Sequence, residues 1–157
     1  MLTKAQFNAF VTTYSNAFNS FKPTTKGGGC AYFGGSGTDN VVNHCQGTYI
    51  STGGGNDVIV NTASNANIYA GSGNDSIINT GMYASVYGGS GNDAIFSTGI
   101  YSNVHGGDDD DVIYAGGSGV RVNGDAGNDN IFNTGIYLNN YGMSITQLIK
   151  SIFGISY

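Results

Sequence analysis

The chain has no glutamate, no tryptophan and a single proline, Pro23, and only 10% of its 157 residues are charged. Low charge argues against disorder, because chains that stay unfolded are rich in charge and poor in apolar residues. The five cations, Lys4, Lys22, Lys26, Arg121 and Lys150, are scattered, so there is no basic patch for nucleic acid. No apolar run approaches the roughly 20 residues of a membrane-spanning helix. Residues 1–10 lack the continuous apolar core and cleavage site of a secretory signal. Histidine occurs only at 44 and 105, no Ser-His-Asp set can be assembled, and a catalytic role is not expected. The two cysteines, Cys30 and Cys45, are too few for a metal knuckle; they read either as a disulfide near the start of the repeats or as buried thiols.

What is present is regular. There are 27 glycines, and glycine is unfavourable inside helices but suited to tight turns. All ten carboxylates are aspartates: Asp39, Asp57, Asp75, Asp93, Asp108, Asp109, Asp110, Asp111, Asp125 and Asp129. Restriction to the shorter acid points to a geometric role in turns or at a metal. The last Asp of each glycine-rich string recurs at 39, 57, 75, 93, 111 and 129, a constant period of 18 residues with no insertion. The strings read GGSGTDNVV, GGGNDVIV, GSGNDSII, GGSGNDAIF, GGDDDDVIY and GDAGNDNIF.

Two positions after each Asp stands a β-branched apolar residue: Val41, Ile59, Ile77, Ile95, Ile113 and Ile131. Nine residues later comes a second column, Ile50, Ile68, Val86, Val104 and Val122, which ends at Asn140. Side chains alternate along a strand, so both columns point into one narrow core. The fold expected is all-β: a parallel β-roll or β-solenoid of about six 18-residue coils, each with two short strands and two turns. Residues 26–142 form this roll. Residues 1–25 and 143–157 are expected to be amphipathic helical caps, on the stripes Phe7, Phe10, Val11, Tyr14, Phe18, Phe21 and Ile145, Leu148, Ile149, Ile152, Phe153.

The recurring string resembles the nonapeptide repeat of the RTX (hemolysin-type) calcium-binding proteins. In GGSGNDAIF the motif positions are filled by Gly88, Gly89, Gly91, Asp93 and Ile95, and the resemblance covers residues 34–132. It implies calcium held between successive turns by aspartate carboxylates and turn carbonyls, as suits a hard cation that takes six to eight oxygens. The residues so implied are Asp39, Asp57, Asp75, Asp93, Asp109, Asp111 and Asp129. With them go the turn glycines Gly35, Gly37, Gly53, Gly55, Gly71, Gly73, Gly89, Gly91, Gly107 and Gly127. Six Asp turns leave five gaps, so up to about five ions are expected. In a full RTX roll both halves of a coil carry the motif. Here the second half places Thr48, Ala66, Ala84, Ser102, Val120 and Leu138 where the Asp would stand, so calcium is expected on one edge only. Asn61, Asn79 and Asn133 are expected to form a partial amide ladder on the other edge, with Thr62, Thr80, Thr98 and Thr134 beside it. Asp109 and Asp125 replace motif glycines, and Asp tolerates the left-handed region better than most residues. The run 108–111 reads as a solvated acidic tip or as one more ion site.

Three residues after each Asp lie Val42, Val60, Ile78, Phe96, Tyr114 and Phe132. By alternation they face outward, and such a strip is expected to be covered, by a terminal helix or by another subunit; Val60, Ile78, Phe96, Tyr114 and Phe132 are the expected self-association residues. A second outward column, Tyr69, Tyr87, His105, Asn123 and Tyr141, is more polar. The function expected is a secreted structural protein that folds on calcium and self-associates into a filament, sheath or matrix. The alternative is ice binding or adhesion through the ordered Gly-Asn-Asp turns. Members of the family are commonly exported by type I machinery without a cleaved N-terminal signal, and the same route is expected here.

Overall fold

A computed structural model describes residues 31–135. Both expected terminal caps lie outside them. The described chain is all β, with twelve strands in chain order: β1 Ala31–Phe33, β2 Asn40–Asn43, β3 Tyr49–Gly54, β4 Val58–Asn61, β5 Asn67–Ser72, β6 Ser76–Asn79, β7 Ser85–Ser90, β8 Ala94–Ser97, β9 Asn103–Asp108, β10 Val112–Ala115, β11 Arg121–Ala126 and β12 Asn130–Asn133. Odd-numbered strands form one six-stranded sheet and even-numbered strands a second. Every pairing is parallel and joins residues 18 apart, as in Ile59↔Ile77 and Ile68↔Val86. The architecture is therefore a parallel β-solenoid of six coils. Each coil has a first edge, the Asp turn that leads from odd to even strand, and a second edge that leads back.

The core lies where the alternation puts it. Ile50, Ile68, Val86 and Val104 from the odd sheet face Val41, Ile59, Ile77, Ile95 and Ile113 from the even sheet, all buried. Parallel sheets stack at about 4.8 Å per strand, so each aliphatic side chain rests on its counterpart in the next coil. In the last described coil Ile131 is exposed. At the opposite end the inward column begins with Tyr32, packed against the core.

The first edge is tight because coils approach there through bare backbone. Gly89 has φ +125, and a Cβ on it would collide with the Gly71 carbonyl one coil away. Asp109 and Asp125, which stand where other coils place glycine, do adopt positive φ, 75° and 69°. Among the described residues no helix is long and apolar enough to cross a membrane.

Candidate metal centre

Each motif Asp ends a first-edge turn just before an even strand, and its side chain turns inward. Asp57, Asp75, Asp93 and Asp111 are fully buried. Their Oδ1 atoms form a ladder along the solenoid. Asp39 N–H donates to Asp57 Oδ1 (2.8 Å), Asp57 N–H to Asp75 (2.7 Å), Asp75 N–H to Asp93 (2.8 Å), Asp93 N–H to Asp111 (2.8 Å) and Asp111 N–H to Asp129 (3.0 Å). The other oxygen tells the opposite story. Oδ2 of Asp57, Asp75, Asp93 and Asp111 is buried and accepts no hydrogen bond.

A buried polar atom without a partner is costly, and an unpaired buried charge more so. Burial accordingly pushes all four acids up, Asp75 and Asp111 to about 6 and Asp93 to about 8. Neighbouring carboxylates add to the rise; for Asp93 these are Asp75 and Asp111. The backbone N–H on Oδ1 works in the other direction. Thr52 lies near enough to ease the charge on Asp57, but its hydroxyl is directed at the Ala70 carbonyl (2.8 Å). At an effective dielectric near 20, two charges roughly 5 Å apart repel by about 3 kcal/mol. Four stacked carboxylates are therefore stabilised by whatever removes their charge, protons or a row of cations.

The surroundings suit a hard cation. No group of three His, Cys, Asp or Glu side chains that could hold a metal ion converges among the described residues; a hard cation here would have to draw its oxygens from carboxylates one coil apart and from turn carbonyls. Room for the carboxylate itself is made by glycine at the start of four of the six turns. At Gly34, Gly88, Gly106 and Gly124 a Cβ would run into the Oδ2 of the Asp five residues on. Asp39, Asp57, Asp75, Asp93, Asp111 and Asp129 with the adjoining glycine-turn carbonyls would hold calcium, which would neutralise the row and join coil to coil. The same column carries Thr52 and Ala70 in two coils, where the space beside the carboxylate is smaller.

The structure separates the acidic run. Asp111 belongs to the buried column, whereas Asp108, Asp109 and Asp110 are exposed. Asp125 instead meets His105, Nδ1 to Oδ2 at 3.0 Å, and accepts from Asn123 Nδ2.

On the second edge, Asn43 Nδ2 donates to Asn61 Oδ1 and Asn61 Nδ2 to Asn79 Oδ1, both at 2.7 Å and buried. The ladder passes on to Ser97 Oγ (3.2 Å). Ala115 follows in register, so the expected extension to Asn133 does not occur. Thr62 and Thr80 hydroxyls donate to the carbonyls of Asn43 and Asn61. Cys45 is disulfide-bonded; Cys30, the other cysteine of the sequence, lies outside the described residues.

Three features escaped the sequence reading. Asn56, Asn74, Asn92 and Asp110 form an exposed ladder on the first edge: the N–H of each next coil donates to the side-chain oxygen of the one before, at 2.8–3.1 Å. It runs opposite to the Asp ladder, and the repeated Asn-Asp pair is its signal. Tyr32 Oη donates to Asp39 Oδ1 (2.8 Å), taking the place that a preceding coil's N–H takes elsewhere, and burial with that bond raises the phenol to about 12. Finally, Tyr83 and Tyr101 adopt positive φ. The chain matches no family model, no curated protein and no solved structure; fold and site geometry define it as a parallel β-solenoid with a buried aspartate row along one edge.

Proposed function

We propose that this chain is a calcium-binding β-solenoid of the RTX type, with a structural rather than catalytic role, which folds on calcium and self-associates outside the cell into a filament, sheath or matrix. The observation that carries the reading is the column of four buried Oδ2 atoms without partners, two of which, on Asp93 and Asp111, lie against glycines that leave them room. In the unfolded chain the site does not exist, so the binding energy of the ions becomes folding energy. The disulfide at Cys45 favours an oxidising compartment, in keeping with type I-like export. The uncharged outward strip through Val60, Ile78, Phe96, Tyr114 and Phe132 supports association. It is half-buried to exposed, and Phe96, Tyr114 and Phe132 stack at 4.8 and 5.7 Å.

Calcium titration followed by circular dichroism, with light scattering on the same sample, tests both parts. Calcium should induce β-structure and large assemblies, and a chelator should reverse both. Unchanged spectra across the titration would remove calcium from the account. Monomers at every concentration would remove the filament.

A second reading, ice binding, rests on the exposed Asn56, Asn74 and Asn92 row, pinned at one-coil intervals. Thermal hysteresis and ice shaping by the calcium-loaded protein test it, and absence of both rules it out.

A further inference from the structure

The second edge carries tyrosine at a repeated backbone position for which the fold needs only glycine or asparagine. Positions 47, 65, 83, 101 and 119 are equivalent, one per coil, and all have positive φ: 71°, 59°, 57°, 56° and 69°. Three of them carry Gly47, Asn65 and Gly119, the residue types that tolerate this region. The other two carry Tyr83 and Tyr101, for which it is sterically unfavourable. Strain of this kind, kept where a glycine or asparagine would serve, points to a role outside the fold.

The side chains held there are exposed. Tyr83 and Tyr101 are 55% and 53% accessible, and the preceding residues, Met82 and Ile100, 43% and 39%. The two rings stack at 5.5 Å. Four large apolar side chains thus sit together on the tips of adjacent coils. No Asp, Glu, Lys or Arg occurs in any second-edge turn or even strand among the described residues, whereas all ten carboxylates lie on or beside the first edge.

We propose that the edge at Met82, Tyr83, Ile100 and Tyr101 is where a second copy of this chain docks; the proposal rests on the self-association reading above and gives it a surface. Charge selects the occupant. A second copy can bring its own uncharged edge, so no unpaired charge is desolvated, while the acidic edges repel and are turned outward. Four side chains fall short of the roughly 800 Å² per partner of a specific interface. The patch continues, however, around the coil onto the even sheet, whose outward Ile78, Phe96 and Tyr114 are half-buried and equally uncharged. Such an edge-to-edge contact is self-complementary, as a two-fold interface must be.

The test is sedimentation velocity of the calcium-loaded full chain over a concentration series, with circular dichroism and thermal melts. Two double variants are compared with the wild type. Tyr83→Asn with Tyr101→Asn installs the residue that position 65 already uses. Met82→Ser with Ile100→Ser removes apolar contact without touching the positive-φ residues. Both should fold normally and associate only at concentrations at least about tenfold higher. The asparagine pair should also melt a few degrees higher as strain is relieved. A wild type that stays monomeric overturns the proposal, as do variants that assemble at wild-type concentrations. An asparagine pair that melts lower and assembles unchanged assigns the tyrosines to turn stability and overturns it too. Assembly through this edge in a chain that folds without calcium would sink the calcium reading alone.

Discussion

Asp93 shows how the two oxygens of one carboxylate differ in their surroundings. Its Oδ1 accepts the Asp75 N–H, a bond that a neutral amide can keep, while its Oδ2 is buried without a partner. Asp93→Asn separates the two roles. In the metal-free protein the variant should be more stable than wild type, because a buried acid flanked by two others is removed. In calcium the order should reverse, since the two gaps that residue 93 borders each lose a carboxylate. A bound ion contributes about 2.7 kcal/mol when free calcium stands a hundredfold above its Kd, so the gap between melting points with and without calcium should contract visibly. Calorimetry in both conditions measures it. An unchanged gap would mean that residue 93 holds no ion.

At the scale of elements, the two edges close by different means: the first by a carboxylate column, the second by amides. Asn61 is the centre of the second. It bonds Asn43, Asn79 and the Ala63 backbone, wholly buried. Asn61→Ala would strand several of these groups, at about 1–3 kcal/mol each, and should lower the melting temperature by roughly 10 °C or more, with or without calcium. Ser97→Ala, at the end of the ladder, should shift it by only a few degrees. Equal effects would show that the amide ladder is not a unit. These elements were readable to different depths. The 18-residue period and the two inward columns were legible because strand alternation and a constant register translate position directly into facing, whereas the burial of the Asp side chains was not read from the sequence. The Asn43 to Ser97 ladder was legible only in part, since a polar column reads as continuous until a residue such as Ala115 is seen to break it. Tyr32 and the tyrosines at positive φ were hidden. The first looks like a core aromatic until its hydroxyl is seen to reach Asp39, and no local pattern announces a left-handed tyrosine.

At the scale of the described solenoid, charge is lopsided, with ten carboxylates along one edge and Arg121 the only Lys or Arg among the described residues. Its stability should therefore depend on pH in a direction set by what occupies the column. Asp75, Asp93 and Asp111 have raised pKa values, about 6, 8 and 6, against an ordinary value near 4 in the unfolded chain. Between those limits the folded protein binds more protons than the unfolded one. The stabilising protonation is complete below about pH 4 and is lost as pH rises through the folded values, so the metal-free roll should weaken from about pH 4 to about pH 8. Calcium needs the ionised carboxylates and competes with those protons, so with calcium the same rise in pH should strengthen the roll. Urea midpoints at about pH 5 and about pH 8, after removal of calcium and again with calcium restored, check the reversal. A metal-free protein that is more stable at the higher pH would contradict a buried, unpaired aspartate row. Matching slopes in the two conditions would mean that calcium does not act on that row.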